Sequence, residues 1–293
     1  MVSVIVPTYK RQPAMVKRAI QSILNQTYPN IEIIVVDDSP GDFEFRSMVK
    51  DMVNSLANDK IRYVEHETNK GACAARNTGI NISAGEYLAF LDDDDEWLSN
   101  KLEKQLLKMS NPDVGLVYCR QKVVDEISKT ITVDKRKFYS GEVFDKLMVN
   151  NFIGSTSFVL VRKKCLQKVG FFNMGLESAQ DYEMWLRIAK EYEVDYVDEP
   201  LVIYHIHGNG RITDNPQKKI QGLESLNDIH SEYLNAKKAI KSIRLVKIIP
   251  YYLLQGRRKK AFVTYLEAIK LTPFRVIHNI LYLRYFFMIK KQI

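Results

Sequence analysis

Cysteine is scarce in this chain of 293 residues: Cys73, Cys119 and Cys165 lie far apart and are odd in number. No CxxC pair occurs, which argues against a disulfide framework and a cysteine zinc site and fits a reducing compartment. Long apolar runs are missing too. No uncharged stretch approaches the roughly 18–20 residues that span a bilayer. The N-terminus opens straight into VSVIVPTY, which is too short for a leader and lacks a small-residue cleavage pattern. GxGxxG does not follow the first apolar run, and GxxxxGK[ST] is absent. Dinucleotide redox chemistry and P-loop hydrolysis therefore lose their usual anchors. Any phosphate handling must fall to a metal and to basic side chains.

The chain does have the bulk of a soluble globular protein, with 46% hydrophobic and 27% charged residues. Its net charge of +8 is unevenly placed. Gln217 to Ile293 hold 16 Lys and Arg against 4 Asp and Glu, a net +12, so the other 216 residues sum to −4. An acidic body with a basic tail suggests cation-assisted chemistry in the body and an anionic surface for the tail. A solvated basic helical surface is the plainer alternative. No nucleic-acid partner is expected, because the body is acidic.

The first half alternates strands and helices. VSVIVPTY (2–9), IEIIVVDD (31–38), IRYVEH (61–66), YLAFLD (87–92) and VGLVYC (114–119) read as strands, several of them buried on both faces. Between them come a helix face of Val16, Ile20, Ile23 and Leu24, a looser helix over about 43–57, a helix opened by Gly71, and KLEKQLLKM, capped by Ser99 or Asn100. This rhythm predicts an α/β fold, a single Rossmann-like, mostly parallel sheet flanked by helices. Further on, STSFVLVRK (155–163) reads as a strand, Tyr182, Trp185, Leu186 and Ala189 as a helix face, and 194–207 as an extended run broken by Pro200. From about 217 the chain reads as helical, and LLQGRRKKAFVTYLEAIKLTP looks like a single tetratricopeptide-type hairpin.

Ligands of parallel sheets bind beyond the carboxyl ends of the strands. Thr8 and Tyr9 end the first strand, Asp37 and Asp38 the second, and Asp92 to Asp95 the fourth. In an extended segment Asp92 and Asp94 share a face and Asp93 points away. Two converging carboxylates suit Mg²⁺ or Mn²⁺, which keeps further positions for a diphosphate. An acidic loop that starts a helix is the structural alternative. Tyr9 can stack on a base, Asp38 can accept from a base N–H, and Arg11 can take a phosphate or base oxygen. Asp181, at the start of an amphipathic helix, reads either as a cap or as a general base for an acceptor hydroxyl. His205 and His207 share a strand face before Gly-Asn-Gly, read as a mobile loop, and could ligate the metal or touch the diphosphate.

SVIVPTY, IIVVDDSP, NKGACAARNTGI, GEYLAFLDDDDEW, QDYEMWLRIA and YHIHG occur in an order and at spacings that resemble family 2 glycosyltransferases with the GT-A fold. The resemblance covers about residues 2–215. It implies an inverting transferase that moves a sugar from a nucleotide diphosphate donor, a UDP-sugar foremost, to a hydroxyl of a glycan or lipid-linked acceptor in cell-surface polysaccharide synthesis. Pro7, Thr8, Tyr9, Arg11 and Asp38 would line the nucleoside pocket, with Arg76 beside the donor. The DxD of the family falls on Asp92-Asp93-Asp94: Asp92 would meet ribose or metal, Asp93 would stand at the donor, and Asp94 would be the principal ligand of Mn²⁺ or Mg²⁺. Asp181 matches the catalytic base, with Gln180 where many members have Glu. His207 matches a histidine after the final strand and is a further candidate metal ligand.

The implied organisation is a transferase domain over 1–215, nucleotide-binding over about 1–110 and acceptor-facing over 111–215, with a basic helical extension over 216–293. FRVIHNILYLRYFFMIKK, near the end, is aromatic and basic. It could lie on an anionic membrane surface, pack on the catalytic domain or form a homo-oligomer contact. A cytoplasmic protein, peripheral on the inner face of the cell membrane, is the expectation. A non-catalytic nucleotide-sugar binder and a sugar nucleotidyltransferase are the competing readings. Intact Asp92, Asp94 and Asp181 speak against the first, and the absence of a Gly-rich phosphate loop in PTYKRQPAM against the second.

Overall fold

VSVIVPT, IEIIVVD and YLAF are almost wholly apolar because helices cover both of their faces. In the computed structural model, which describes residues 1–207 and 215–273, they form strands β1 (Val2–Thr8), β2 (Ile31–Asp37) and β4 (Tyr87–Phe90). With β3 (Ile61–Glu65) they make a parallel array in the order β3-β2-β1-β4. Alternate residues serve opposite faces. Val4, Val6, Ile33 and Val35 pack with Val16, Ile20 and Ile23 of helix α1 (Pro13–Leu24) and Val49 and Val53 of α2 (Arg46–Ser55). Ile34 and Val36 meet Ala75 of α3 (Ala72–Ile82) on the other side. Helix α3 lies so close to β1 that a Cβ on Gly79 would stand 2.5 Å from Ile5 Cγ2. Only glycine allows that approach.

The sheet continues with β5 (Glu96–Trp97), β6 (Val114–Asp125), β7 (Thr130–Val133), β8 (Val159–Arg162) and β9 (Glu193–Ile206). Its full order is β3-β2-β1-β4-β8-β6-β9-β5, with β7 paired to β6. Strand β8 is antiparallel to β4 and β6, whereas β6 and β9 are parallel. Helices α4 (Lys101–Lys108), α5 (Phe144–Val149), α6 (Lys163–Val169) and α7 (Gln180–Glu191) complete this half of the sequence.

Three sequence expectations change. The strand expected from Ser155 begins at Val159, because the Ser155 side chain accepts from Ser157 N–H and caps a short 3₁₀ turn over Thr156–Phe158. The strand read as 114–119 runs on to Asp125 and turns back through β7. Pro200 does not break the last run. It faces Arg120 where the β6–β9 register shifts, a place where a missing N–H is tolerated.

The chain divides into two compact units. The first comprises Met1–Phe144, Asn151–Met174 and Met184–Gly208; the second comprises Asp145–Asn150, Gly175–Glu183 and Asn209–Ile293. The second unit contains α8 (Pro216–Ile229), α9 (Ser231–Ala236), α10 (Lys238–Leu254) and α11 (Arg258–Leu271). Its core gathers Ile220, Val246, Ile249, Tyr252, Ala261 and Ala268. Helices α10 and α11 form the expected hairpin, turning at Gly256, whose φ of +69° suits glycine. Among the described residues no helix is long and apolar enough to cross a membrane. The Gly-Asn-Gly loop (208–210) and the segment from Phe274 to Lys291 lie outside the described residues.

Candidate active site

Strands β1, β2 and β4 are parallel, so their carboxyl ends open on one edge. The chain leaves β1 for β2 and β3 on one side and returns to β4 on the other. A crevice opens where such an order reverses. Thr8, Asp37 and the Asp92–Asp95 cluster stand at these three ends.

The cluster is a turn rather than an extended segment. Asp95 N–H donates to Asp92 C=O at 3.0 Å, which closes a four-residue loop. Exposure still alternates, with Asp92 and Asp94 partly open and Asp93 and Asp95 buried. The partners do not follow that alternation. Arg11 joins Asp93 to Asp94, its Nε 2.8 Å from Asp93 Oδ1 and its Nη2 2.6 Å from Asp94 Oδ2. Asp92 turns to Arg76 Nη2 at 2.8 Å and to the hydroxyls of Ser155 and Thr156, each at 3.2 Å. Arg76 also lies over the Phe172 ring, 5.6 Å from its centre. The expectation that Asp92 and Asp94 aim together while Asp93 points away is therefore corrected: the turn rotates successive side chains.

The four carboxyl groups differ electrostatically. Burial pushes Asp93 up to about 6, against the pull of the Arg11 guanidinium and aided by the charge of Asp94. A Thr8 hydrogen bond also favours its charged form. Asp95 is fully buried, and burial with the Asp92 charge raises it well above the usual carboxylate range. Burial alone would lower Arg11, but Asp93 and Asp94 more than offset this and raise it.

Asp38 serves the loop beneath the crevice. Its Oδ1 accepts from Lys70 N–H at 2.8 Å and lies 2.7 Å from His66 Nδ1, and its Oδ2 accepts from Gly71 N–H at 2.7 Å. His66 reaches Thr78 Oγ1 of α3 with its other nitrogen, at 2.9 Å. Gly71, at φ +88°, starts α3 and so sets where Arg76 stands. Pro7 is half-buried within β1, and Tyr9 is 44% exposed beyond its end.

A second cluster adjoins the turn through Arg18, whose Nη2 donates to Asp94 C=O at 3.0 Å and whose Nε is 3.5 Å from Glu96. His205 lies between two carboxylates: Nε2 is 2.7 Å from Glu96 and Nδ1 3.0 Å from Glu126 Oε1. His207 Nδ1 is 2.8 Å from Glu126 Oε2, and its Nε2 is buried without a partner. Arg18 Nη1, 3.7 Å from Glu126 Oε1, brings positive charge to the same group. Ligand atoms of Glu126, His205 and His207 lie within 4.8 Å of one another. A carboxylate on the far nitrogen of a histidine is also what orients a metal ligand. These donors fit a divalent cation such as Mn²⁺. Asp94, a quarter exposed, is held by the Arg11 guanidinium alone, whereas Asp92, about as open, already has three donors.

Asp181 belongs to the second unit, half-buried on the first turn of α7, and its Oδ1 accepts from Tyr182 N–H at 2.7 Å. Ala179, just before the helix, has a left-handed φ of +58°.

Sequence reasoning missed His66, Glu126, Arg18 and the Ser155–Ser157 segment. Only the Ser-Thr-Ser string offered a signal, as a set of donors close in sequence.

Comparison with known proteins converges. The model of a family described as "Glycosyl transferase family 2" matches residues 3–170. A protein of Escherichia coli (strain K12) named for colanic acid biosynthesis, the glycosyl transferase WcaA, is 34% identical over 228 residues, 74% of this chain and 77% of its own. The Escherichia coli UDP-Glc:alpha-D-GlcNAc-diphosphoundecaprenol beta-1,3-glucosyltransferase WfgD is 30% identical over 198 residues, 68% of this chain and 73% of its own. The crystal structure of S. aureus TarS 1-349 in complex with UDP-GlcNAc has a TM-score of 0.65 at 16% identity, covering 94% of this chain and 82% of that one. That last likeness concerns the fold alone.

Proposed function

This chain belongs to glycosyl transferase family 2 and has the GT-A fold, and on that premise we propose that it moves a sugar from a UDP-sugar to a hydroxyl of a glycan or lipid-linked acceptor, with inversion, in cell-surface polysaccharide synthesis. The observation that carries this reading is the meeting of Arg11, Arg76 and the Asp92–Asp94 turn at the carboxyl ends of β1 and β4. The names of relatives support the substrate classes: WfgD is named for a UDP-Glc donor and a diphosphoundecaprenol-linked acceptor, and TarS was crystallised with UDP-GlcNAc. In this reading residues 1–215 perform the transfer, with the nucleotide at 1–110 and the acceptor at 111–215, and 216–293 form an extension. The protein works in the cytoplasm, at the inner face of the membrane.

Pro7, Thr8 and Tyr9 line the nucleoside end, and Tyr9 is exposed enough to stack on a base. Arg11 and Arg76 carry the positive charge nearest the diphosphate. Asp38 holds the loop that starts α3, and Asp92 and Asp93 hold these two arginines in place. Asp94, with Asp92 and His207 as further candidates, would hold Mn²⁺ or Mg²⁺, which supplies positive charge against the departing diphosphate. Asp181 takes the proton from the acceptor hydroxyl, so that oxygen attacks the anomeric carbon opposite the leaving group in a single displacement.

A screen of nucleotide sugars for release of nucleoside diphosphate, with Mn²⁺ or Mg²⁺ and then with chelator, tests the proposal. Release that depends on one donor and on metal is expected. Asp181→Asn should lose transfer and keep donor affinity, and near-normal turnover by that variant would remove Asp181 as the base.

A further inference from the structure

Helix α11 is built the wrong way round for a helix that only covers a core. It packs inward with Ala261, Thr264 and Ala268, all small and buried. Tyr265 packs on the same core from the flank, but three large apolar side chains point outward: Phe262 is 50%, Val263 56% and Leu266 49% exposed. At 100° per residue, Lys259, Phe262, Val263, Leu266 and Lys270 share the arc opposite the buried one. Scattered exposed apolar residues are ordinary, but a contiguous stripe on one helix face marks a contact.

The charges around the stripe say which contact. Exposed lysines close it at both ends, and exposed Arg257 and Arg258 stand where the helix begins. The one acid within α11, Glu267, is paired with Lys241 at 3.3 Å. We propose that this face seats the protein on an anionic lipid surface. Phe262, Val263 and Leu266 would enter the headgroup boundary, while Lys259 and Lys270 extend their ammonium groups to lipid phosphates. A second copy on the same face would set these lysines against their counterparts, whereas anionic headgroups neutralise them. The charge division of the chain, +12 from Gln217 onward and −4 before it, turns the same region toward such a surface. The inference does not rest on the transfer chemistry.

The test is co-sedimentation of the full chain with phosphatidylcholine vesicles, with and without phosphatidylglycerol. Binding should require the anionic lipid and weaken with salt. Lys259→Gln with Lys270→Gln should lower partitioning about 30-fold. Phe262→Ser with Leu266→Ser should lower it comparably. Neither pair should change the circular dichroism or donor turnover without vesicles. Three results overturn the proposal: no binding of the wild type to anionic vesicles, equal binding by both double variants, or a concentration-dependent dimer that Phe262→Ser abolishes.

Discussion

Replacing Asp38 by Asn separates two roles for this carboxylate, contact with a nucleoside and support of the loop at Lys70-Gly71. Asp38 is 3% exposed and accepts from the backbone N–H groups of Lys70 and Gly71, with His66 on the same oxygen as Lys70. An Asn side chain keeps the volume and offers one carbonyl oxygen and one NH₂. If the oxygen stays with Lys70 and His66, the NH₂ faces Gly71 N–H, donor against donor. A hydrogen bond to a charged group contributes about 1.5–3 kcal/mol, and a buried donor left unpaired costs about 1–3 kcal/mol. The two figures overlap, so the expected loss is about 3 kcal/mol. For a body of this size each kcal/mol moves Tm by roughly 2–4 °C, which predicts a fall of about 6–12 °C.

The loss should also reach the site. Gly71 starts α3, and α3 carries Arg76, which holds Asp92 at 2.8 Å. Thermal unfolding of Asp38→Asn and wild type, without ligand and with UDP, is the assay. Support of the loop predicts a lower Tm without ligand. An unchanged ligand-free Tm with weakened UDP binding would refute the support argument and leave Asp38 as a ligand contact.

Lys101 gives a pH test. It is fully buried, its ammonium 2.7 Å from Gln105 Oε1 and 4.0 Å from the centre of the Trp97 ring, and burial holds it down to about 8. Its folded value is below the ordinary 10.5, so between these pH values the unfolded chain binds more protons. Stability should therefore rise with pH across that window, by about 3 kcal/mol at most, and Lys101→Met should remove the slope in urea midpoints. Asp94→Ala should lose metal-dependent donor affinity in titrations with Mn²⁺; an unchanged affinity with metal present would argue against Asp94 as a ligand.

The strands were readable because a run buried on both faces needs no alternation: VSVIVPT and IEIIVVD are apolar at nearly every position. Their direction then followed from the intervening helices, and with it the place where Thr8, Asp37 and Asp92 gather. What stayed hidden depended on partners remote in sequence. Ser155 and Thr156 meet Asp92 from 63 and 64 residues away. Glu126 was out of view because VGLVYC reads as ending at Cys119, whereas pairing with β9 carries β6 past the polar residues Arg120 to Lys122. Lys101, the first residue of KLEKQLLKM, is buried because Gln105 and Trp97 receive its ammonium, and nothing in that string marks it apart from the other lysines.

The four aspartates show why composition identifies such a site before geometry does. A carboxylate pile at a strand end is legible as excess negative charge, whatever the local backbone. The turn then gives each member a different answer to that charge. Asp92 has a guanidinium and two hydroxyls. Asp93 and Asp94 share one guanidinium. Asp95 has no ion pair among the described residues, and its Oδ2 is buried without a partner. Four carboxyl groups thus face two directly paired arginines, Arg11 and Arg76. Burial pushes Asp93 and Asp95 toward the neutral form, and a cation arriving at the turn would relieve the same excess from the other direction. The compensation is incomplete in the protein alone, and a divalent cation is the kind of ligand that such a deficit favours.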